Sequence, residues 1–125
     1  MRILVVDDDL SVRRLVSVQL GLAGHEVHIA EDGPAALLAI SSIEPDLVVL
    51  DVRMPEMNGW QVLKALRAQP AYEQLPVLML TAAAESSEVE LSYALGASAV
   101  IGKPYDGDRL AQMVETLILQ SHVLN

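Results

Sequence analysis

Three aspartates and one lysine are the residues of this sequence that could do chemistry together. The pair Asp7-Asp8, Asp51 and Lys103 each come at the end of an apolar run. Carboxylates that converge in one pocket repel one another, so a cation has to compensate them. Oxygen ligands without histidine or cysteine among them suit Mg²⁺, with Mn²⁺ as a substitute. The pattern therefore predicts a magnesium site in which Asp51 is the nucleophile that forms an aspartyl phosphate.

Thr81 and Lys103 add the groups that a phosphoryl transfer needs. The Thr81 hydroxyl follows the apolar stretch 76–80 and could donate a hydrogen bond to a phosphoryl oxygen. Lys103 could pair with a carboxylate while the site is empty and with the phosphoryl group when it is full. Phosphoryl transfer depends mainly on charge stabilisation and in-line positioning, and these residue types supply both.

Five apolar strand patterns alternate with helical patterns along the chain. Strands are predicted at 3–6, 27–30, 47–50, 76–81 and 98–102, with helices after each, including 59–68 and 87–95. The uninterrupted apolar run 47–50 is typical of a strand that is buried on both faces, as in parallel sheets. Met54-Pro55 ends that strand, and Asn58 can cap the next helix.

The alternation predicts an α/β protein with a three-layer (βα)5 sandwich. Right-handed crossovers leave few topologies, and the flavodoxin-like strand order 2-1-3-4-5 is the one we expect. In that order the first strand lies beside the third, and ligands bind where the order reverses. Asp7, Asp8 and Asp51 then meet at the carboxyl edge of the sheet, with Thr81 and Lys103 on the adjoining strands.

The helical faces give further expectations. In the first helix we expect an inward face of Val12, Leu15, Val16 and Leu22. If the fourth helix turns Leu91, Ala94 and Leu95 to the core, then Val89 and Tyr93 form an exposed apolar pair beside Tyr105. That pair would be a partner surface; the alternative is that one of the two lies under a loop. Surface positions are expected for Glu85, Glu88, Glu90 and all three histidines, His25, His28 and His122.

Composition bounds the class of protein. The chain has 125 residues, 52% hydrophobic residues, no cysteine and a net charge of −9. These values favour one globular domain and argue against disorder and against direct binding to nucleic acid, whose phosphates require basic partners. No apolar run approaches the roughly 18 residues of a membrane helix, and nothing resembles a signal peptide. A cytoplasmic location is therefore expected.

Four motifs in order make the sequence resemble a response-regulator receiver domain of the CheY-like family. They are the pair Asp7-Asp8, Asp51 followed by MPEMNG, Thr81-Ala82 and Lys103-Pro104. The resemblance covers about residues 3–119 and implies that residues 1–125 form a single receiver domain. It implies a switch that takes its phosphoryl group from a sensor histidine kinase or phosphotransfer protein. A downstream protein or a fused output domain would then read the change.

The resemblance also assigns roles to individual residues. It implies that Asp51 is the phosphoacceptor and that Asp8 binds the metal directly, with Asp7 acting more indirectly through water. Arg53 would offer its backbone carbonyl to Mg²⁺, while Thr81, Lys103 and the Ala82 backbone would bind the phosphoryl group. The family would place the Arg53 and Ala83 side chains beside the path of attacking water, and these types suggest a slow loss of phosphate. The Lys103-Pro104 peptide bond is expected to be cis.

The family pattern is incomplete at two positions that concern output. Val100 stands where many relatives carry an aromatic ring that rotates on activation, so that rotation is not expected here. Ser98-Ala99 replaces the acidic residues with which many relatives form a salt-bridged dimer. A monomer or weak dimer is therefore expected.

The same residues allow four other interpretations. The aspartates 7–9 could simply cap a helix, although capping does not account for Asp51 and Lys103. A haloacid-dehalogenase-like phosphatase would need a second acid where Arg53 stands. A flavodoxin-like cofactor binder needs a hydroxyl- and glycine-rich first loop, which three aspartates are not. A receiver fold that acts as a docking module without phosphorylation remains open.

Overall fold

The chain folds as five strands alternating with five helices. The computed structural model describes residues 1–82, 86–103 and 107–123. The elements are β1 Arg2–Val6, α1 Leu10–Leu22, β2 Glu26–Ala30, α2 Gly33–Ile43, β3 Leu47–Asp51, α3 Gly59–Arg67, a 3-10 turn at Pro70–Tyr72, β4 Val77–Thr81, α4 Ser86–Ala94, β5 Ala99–Gly102 and α5 Gly107–Val123. Every strand and helix predicted from the sequence is present. No helix in these described ranges is long and apolar enough to cross a bilayer.

The sheet is parallel throughout and has the predicted order β2-β1-β3-β4-β5. All residues of β3 and β4 are buried, as expected for strands covered on both faces. Val6 pairs with Leu50 across β1 and β3, so Asp7, which follows β1, and Asp51, the last residue of β3, lie side by side. Thr81 pairs with Gly102 across β4 and β5, which brings Lys103 beside it.

Two apolar clusters lie on opposite faces of the sheet and make the three layers. One contains buried side chains of α2 and α3, such as Ile40 and Leu63, and the other those of α1 and α5, such as Leu20 and Val114. The described part of α4 contributes no residue to either cluster. This helix is therefore attached to the domain in a different way from its neighbours.

Capping explains where two of the helices begin. The Asp9 carboxylate accepts a hydrogen bond from the Ser11 N–H at 2.8 Å, which caps α1. Asn58 and Gln61 form a reciprocal capping box at the start of α3. At the first position of α3, Gly59 lies so close to the Asp51 carbonyl that a Cβ atom would collide with it. A glycine here lets α3 start directly against the end of β3.

The inward face of α1 differs from the predicted one. Val16 and Leu20 are buried, whereas Leu15 is 53% exposed and Leu22 is 85% exposed. Residues four apart lie on one face of a helix, and the stripe that contains Val16 and Leu20 packs on the sheet. The expectation that Leu15 and Leu22 face inward was wrong.

The inward face of α4 also differs from the expected one. Leu91 is 42% exposed and Ala94 is exposed, so these two do not face the core, while Leu95 is partly buried. Among the side chains of this helix that the structure describes, the buried one is Ser92. In a separate departure, the His25 side chain is only 7% exposed and contacts Glu115 of α5 at 2.6 Å, so it is not a surface residue.

Candidate functional site

Asp7, Asp8 and Asp51 meet at the carboxyl edge of the sheet. Asp7 follows β1 and is fully buried, Asp51 ends β3 and is 4% exposed, and Asp8 is exposed to solvent. One carboxylate oxygen from each lies within 4.8 Å of the others, which is close enough to hold one metal ion. The fold thus brings together the three aspartates that the sequence singled out, because β1 and β3 are neighbours in the sheet.

Lys103 lies over two of these carboxylates. Its Nζ atom is 3.1 Å from Asp51 Oδ1 and 3.3 Å from Asp7 Oδ2. Burial alone would lower the pKa of Lys103, but the charges of Asp51 and Asp7 outweigh it and the pKa is raised. The lysine is therefore a charged ammonium that partly neutralises the site, and it pairs with carboxylates as expected from the sequence.

Asp51 is the carboxylate of this cluster whose ionised form is disfavoured. Burial, followed by the negative charge of Asp7, raises the pKa of Asp51 from 3.8 to about 6, against the opposing effects of Lys103 and of the Arg53 N–H. The ionised carboxylate is thus held at an energetic cost. A divalent cation beside it would relieve that cost by adding opposite charge.

Asp7 is fixed from three directions. Its carboxylate accepts from the Asp9 N–H at 2.9 Å, its carbonyl accepts from Arg13 Nη1 at 3.0 Å, and its own N–H donates to the Ala30 carbonyl at 3.3 Å. Two of these contacts hold the Asp7 backbone and one holds its carboxylate, so the residue has little freedom to reorient. Because Asp9 serves as the helix cap, capping does not explain Asp7.

Glu88 joins the site unexpectedly. Its side chain is only 13% exposed, so the prediction that it lies on a solvated face was wrong. One carboxylate oxygen accepts from the Thr81 hydroxyl at 3.4 Å, and the other pairs with Arg53 Nη2 at 3.1 Å. Glu88 thereby joins helix α4 to the last residue of β4 and to the segment that follows β3.

A second polar contact holds α4 one turn further on. Trp60 Nε1 donates to Ser92 Oγ at 2.9 Å, and Ser92 Oγ donates to the Glu88 carbonyl at 2.9 Å. Glu88 and Ser92 are four residues apart and share the inner face of α4. The sequence did carry a signal for this, since the segment lacks an apolar stripe and has an acid and a serine at helical spacing.

The remaining predicted residues are distributed as follows. Ala82 is exposed at the end of β4, Tyr93 is 49% exposed on α4, and Val89 is partly buried. Arg53 has an exposed side chain that reaches Glu88. Ala83, Glu85, Pro104 and Tyr105 lie outside the described residues, and so do the side chain of His122 and the expected cis bond.

The chain is similar to known proteins over nearly all of its length. The family model "Response regulator receiver domain" matches residues 3–115. The chain is 41% identical to the regulatory protein AtoC of Escherichia coli over 121 residues, which cover 96% of this chain and 26% of AtoC. It is 39% identical to the DNA-binding response regulator MtrA of Mycobacterium leprae, covering 90% of this chain and 49% of MtrA.

Solved structures agree with the sequence comparison. The chemotaxis response regulator CheY4 of Vibrio cholerae superposes with a TM-score of 0.88 at 35% identity, covering 93% of this chain and 97% of CheY4. NtrX from Brucella abortus superposes with a TM-score of 0.91 at 32% identity, covering 98% of this chain and 27% of NtrX. The chain thus spans only about a quarter to a half of the longer regulators and almost all of CheY4.

The acidic edge, the lysine above it and the strand order agree with these likenesses. The relatives are regulators of two-component signalling, in which the receiver is a phosphorylation-dependent switch rather than an enzyme acting on a separate substrate. Family model, fold and relatives point to one conclusion. The chain belongs to the response-regulator receiver domain family.

Proposed function

We propose that Asp51 accepts a phosphoryl group and that residues 1–125 work as one switch domain. The observation that carries the proposal is the convergence of Asp7, Asp8 and Asp51 within 4.8 Å, with Lys103 paired to two of them. Such an edge can gather a phosphoryl donor, a cation and a nucleophile in one place. The raised pKa of Asp51 supports the same role, because perturbed groups gather at functional sites.

We assign a divalent cation, Mg²⁺ or alternatively Mn²⁺, to this edge. Oxygen donors are the ligands such ions prefer, and one exposed and two buried carboxylates within reach of one another fit them. Asp8 and Asp51 would hold the ion, together with the Arg53 backbone carbonyl and, through water, Asp7. When bound, the ion supplies positive charge that neutralises the crowded oxygens during transfer.

The chain's own residues then have distinct tasks. An Asp51 carboxylate oxygen attacks the phosphorus atom, a P–O bond forms, and the bond from phosphorus to the donor's histidine nitrogen breaks. Lys103 pairs with the incoming phosphoryl oxygens, while the Thr81 hydroxyl and the Ala82 N–H donate to them. Hydrolysis of the aspartyl phosphate, by attack of water on phosphorus, returns the Asp51 carboxylate and inorganic phosphate. The domain in this sense promotes its own modification and its own reset.

Donor and reader are proposed by class. A sensor histidine kinase or a phosphotransfer protein would supply the phosphoryl group in the cytoplasm, to a monomer or weak dimer. The reader would be a separate protein or a fused output domain that contacts Val89, Tyr93 and Tyr105. MtrA is named as DNA-binding, but the chain covers only 49% of it. With a net charge of −9, we expect this domain itself not to bind nucleic acid.

Intact-mass measurement after incubation with acetyl phosphate tests the proposal. The protein should gain the mass of one phosphoryl group with Mg²⁺ present and none with a chelator, and peptide mapping should place it on Asp51. A protein that stays unmodified with Mg²⁺ would instead indicate a receiver fold used as a docking module.

Replacing the exposed metal ligand should uncouple metal binding from folding. Asp8→Ala is expected to weaken Mg²⁺ binding by at least about tenfold, because it removes a direct oxygen ligand. Stability without metal should change by no more than about 0.5 kcal/mol, since Asp8 is exposed. Calorimetric titration with MgCl₂ and chemical denaturation measure the two effects. Equal Mg²⁺ affinity in the variant and the parent would remove Asp8 from the site.

Arg53 should lengthen the life of the phosphorylated state. Its guanidinium already reaches the edge of the site through Glu88, and it could pair with a phosphoryl oxygen and hinder a well-aligned water. An exposed pair is worth at most about 1 kcal/mol, so Arg53→Ala is expected to lose phosphate about two- to fivefold faster. Decay of Asp51 phosphate at equal Mg²⁺ is the measurement. Unchanged or slower decay would show that Arg53 offers no protection.

A further inference from the structure

Helix α4 is held to the domain by polar contacts where its neighbours use apolar ones. The described part of α4 adds no side chain to either apolar cluster, and its buried residue is Ser92. Leu91 and Tyr93 face outwards, 42% and 49% exposed. Polar contacts exchange partners more readily than close-packed apolar contacts do, because a donor can form its hydrogen bond with any well-placed oxygen. The position of α4 therefore depends on which hydrogen-bond acceptors lie near those donors.

Glu88 is the acceptor on α4 that lies next to the phosphorylation site. Its two carboxylate oxygens take the Thr81 hydroxyl at 3.4 Å and the Arg53 guanidinium at 3.1 Å. Thr81 ends β4 beside the strand that carries Asp51, and Arg53 follows that strand by two residues, with its N–H close enough to lower the pKa of Asp51. The two donors that bind Glu88 thus belong to β4 and to the segment after β3, next to the strand that carries Asp51.

A phosphoryl group on Asp51 would compete for the same two donors. It carries close to two negative charges and three strong acceptor oxygens, whereas Glu88 carries one charge. A hydroxyl has a single proton to donate, so Thr81 cannot serve the phosphoryl group and Glu88 together through that proton. The new charge also repels the Glu88 carboxylate, which is only 13% exposed and poorly screened.

We propose that Glu88 is a positioning residue that locks α4 in the unphosphorylated protein and is displaced when Asp51 is phosphorylated. Loss of Thr81 and Arg53 from Glu88 removes two side-chain contacts that hold the first half of α4. The movement then passes through Ser92 to the Trp60 indole, which bonds Ser92 Oγ at 2.9 Å. This inference rests on the proposed phosphorylation of Asp51, and it adds helix α4 as the element that responds to it.

Trp60 supplies a built-in reporter because it is the only tryptophan in the sequence. Its indole N–H gives one resolved signal in a ¹H–¹⁵N spectrum of the full chain. In the parent, beryllofluoride with Mg²⁺ should shift that signal. Glu88→Gln keeps the size of the side chain but removes its charge. Without beryllofluoride, it should move the signal by about half of that displacement. This is the shift expected when the held and released positions of α4 are about equally populated.

Glu90→Gln is the matched control, since it removes the same charge from an exposed position of the same helix. It should leave the Trp60 signal in place. Arg53→Ala removes one of the two Glu88 contacts without altering α4, and should move the signal in the same direction by a smaller amount. Glu88→Gln should also speed modification by acetyl phosphate about threefold or more relative to Glu90→Gln, because a competing carboxylate is gone.

A Trp60 signal that is the same in the parent, Glu88→Gln and Arg53→Ala proteins would overturn the inference. These spectra are recorded without phosphorylation, so they test the role of Glu88 separately from the phosphorylation of Asp51. Failure of the parent to gain a phosphoryl group would overturn the proposed function, whatever the Trp60 signal shows.

Discussion

Asp51→Asn is expected to abolish phosphorylation and to stabilise the metal-free protein. The amide has no carboxylate oxygen to attack phosphorus, so the mass gain with acetyl phosphate should vanish. Burial and the charge of Asp7 raise the pKa of Asp51 from 3.8 to about 6, so at neutral pH the folded protein carries a carboxylate that it disfavours. Removing that charge should increase the free energy of unfolding by about 1–3 kcal/mol, allowing for screening.

The sign of this effect can be checked against pH. A carboxyl whose pKa is higher in the folded than in the unfolded state favours folding below about pH 4 and loses that advantage as the pH rises through about 6. The stability of the chelated parent should therefore fall between these values more than that of Asp51→Asn. Denaturant unfolding at several pH values measures it, and Glu73→Gln at an exposed position is the charge-matched control. A clear loss of stability in Asp51→Asn would mean that the carboxylate is a structural group.

Lys103→Ala is expected to destabilise the metal-free protein by about 2–4 kcal/mol. The variant leaves Asp7 and Asp51, which are 1% and 5% exposed in their side chains, without the cation that bridges them. Unpairing buried charges is costly, although protonation of Asp51 limits the loss here. Mg²⁺ should recover part of the stability, because a second cation can take the place of the first.

The same variant should separate modification from response. Some phosphorylation of Asp51 should persist, but amide shifts at residues 98–103 on adding beryllofluoride should be smaller than in the parent. The reason is that Lys103 joins the end of β5 to the phosphoryl group by a charge-assisted contact. The only other lysine, Lys64, is exposed on α3, so Lys64→Ala is the matched control for both measurements. Shifts equal to those of the parent would remove Lys103 from the relay.

Much of the fold follows from local features of the chain. Apolar runs such as 47–50 are bounded by charged residues, proline or glycine, so each strand and its end can be identified from a few neighbouring residues. Once the strands are parallel and the crossovers right-handed, the topology is nearly determined. Asp7 and Asp51 could therefore be placed together from sequence, although they are far apart along the chain.

Helix orientation was harder to predict, because it depends on how each helix packs on the sheet. Leu15 and Val16 are adjacent and equally apolar, yet Val16 is buried and Leu15 is 53% exposed. On α4, polar contacts of Glu88 and Ser92 with other elements set the inward face and left Leu91 exposed. The helical period limits which residues can share a face, but it leaves the choice of face open.

The sequence by itself determined the strand order, the acidic edge and the lysine above it, since these depend on residue types at strand ends. Tertiary structure alone decided that Glu88 joins Thr81 and Arg53, and that burial beside Asp7 raises the pKa of Asp51. Arg53 and Glu88 are 35 residues apart and meet only because α4 presents its polar face to the end of β4. Such contacts depend on three-dimensional distances and on the local exclusion of water, which no spacing along the chain encodes.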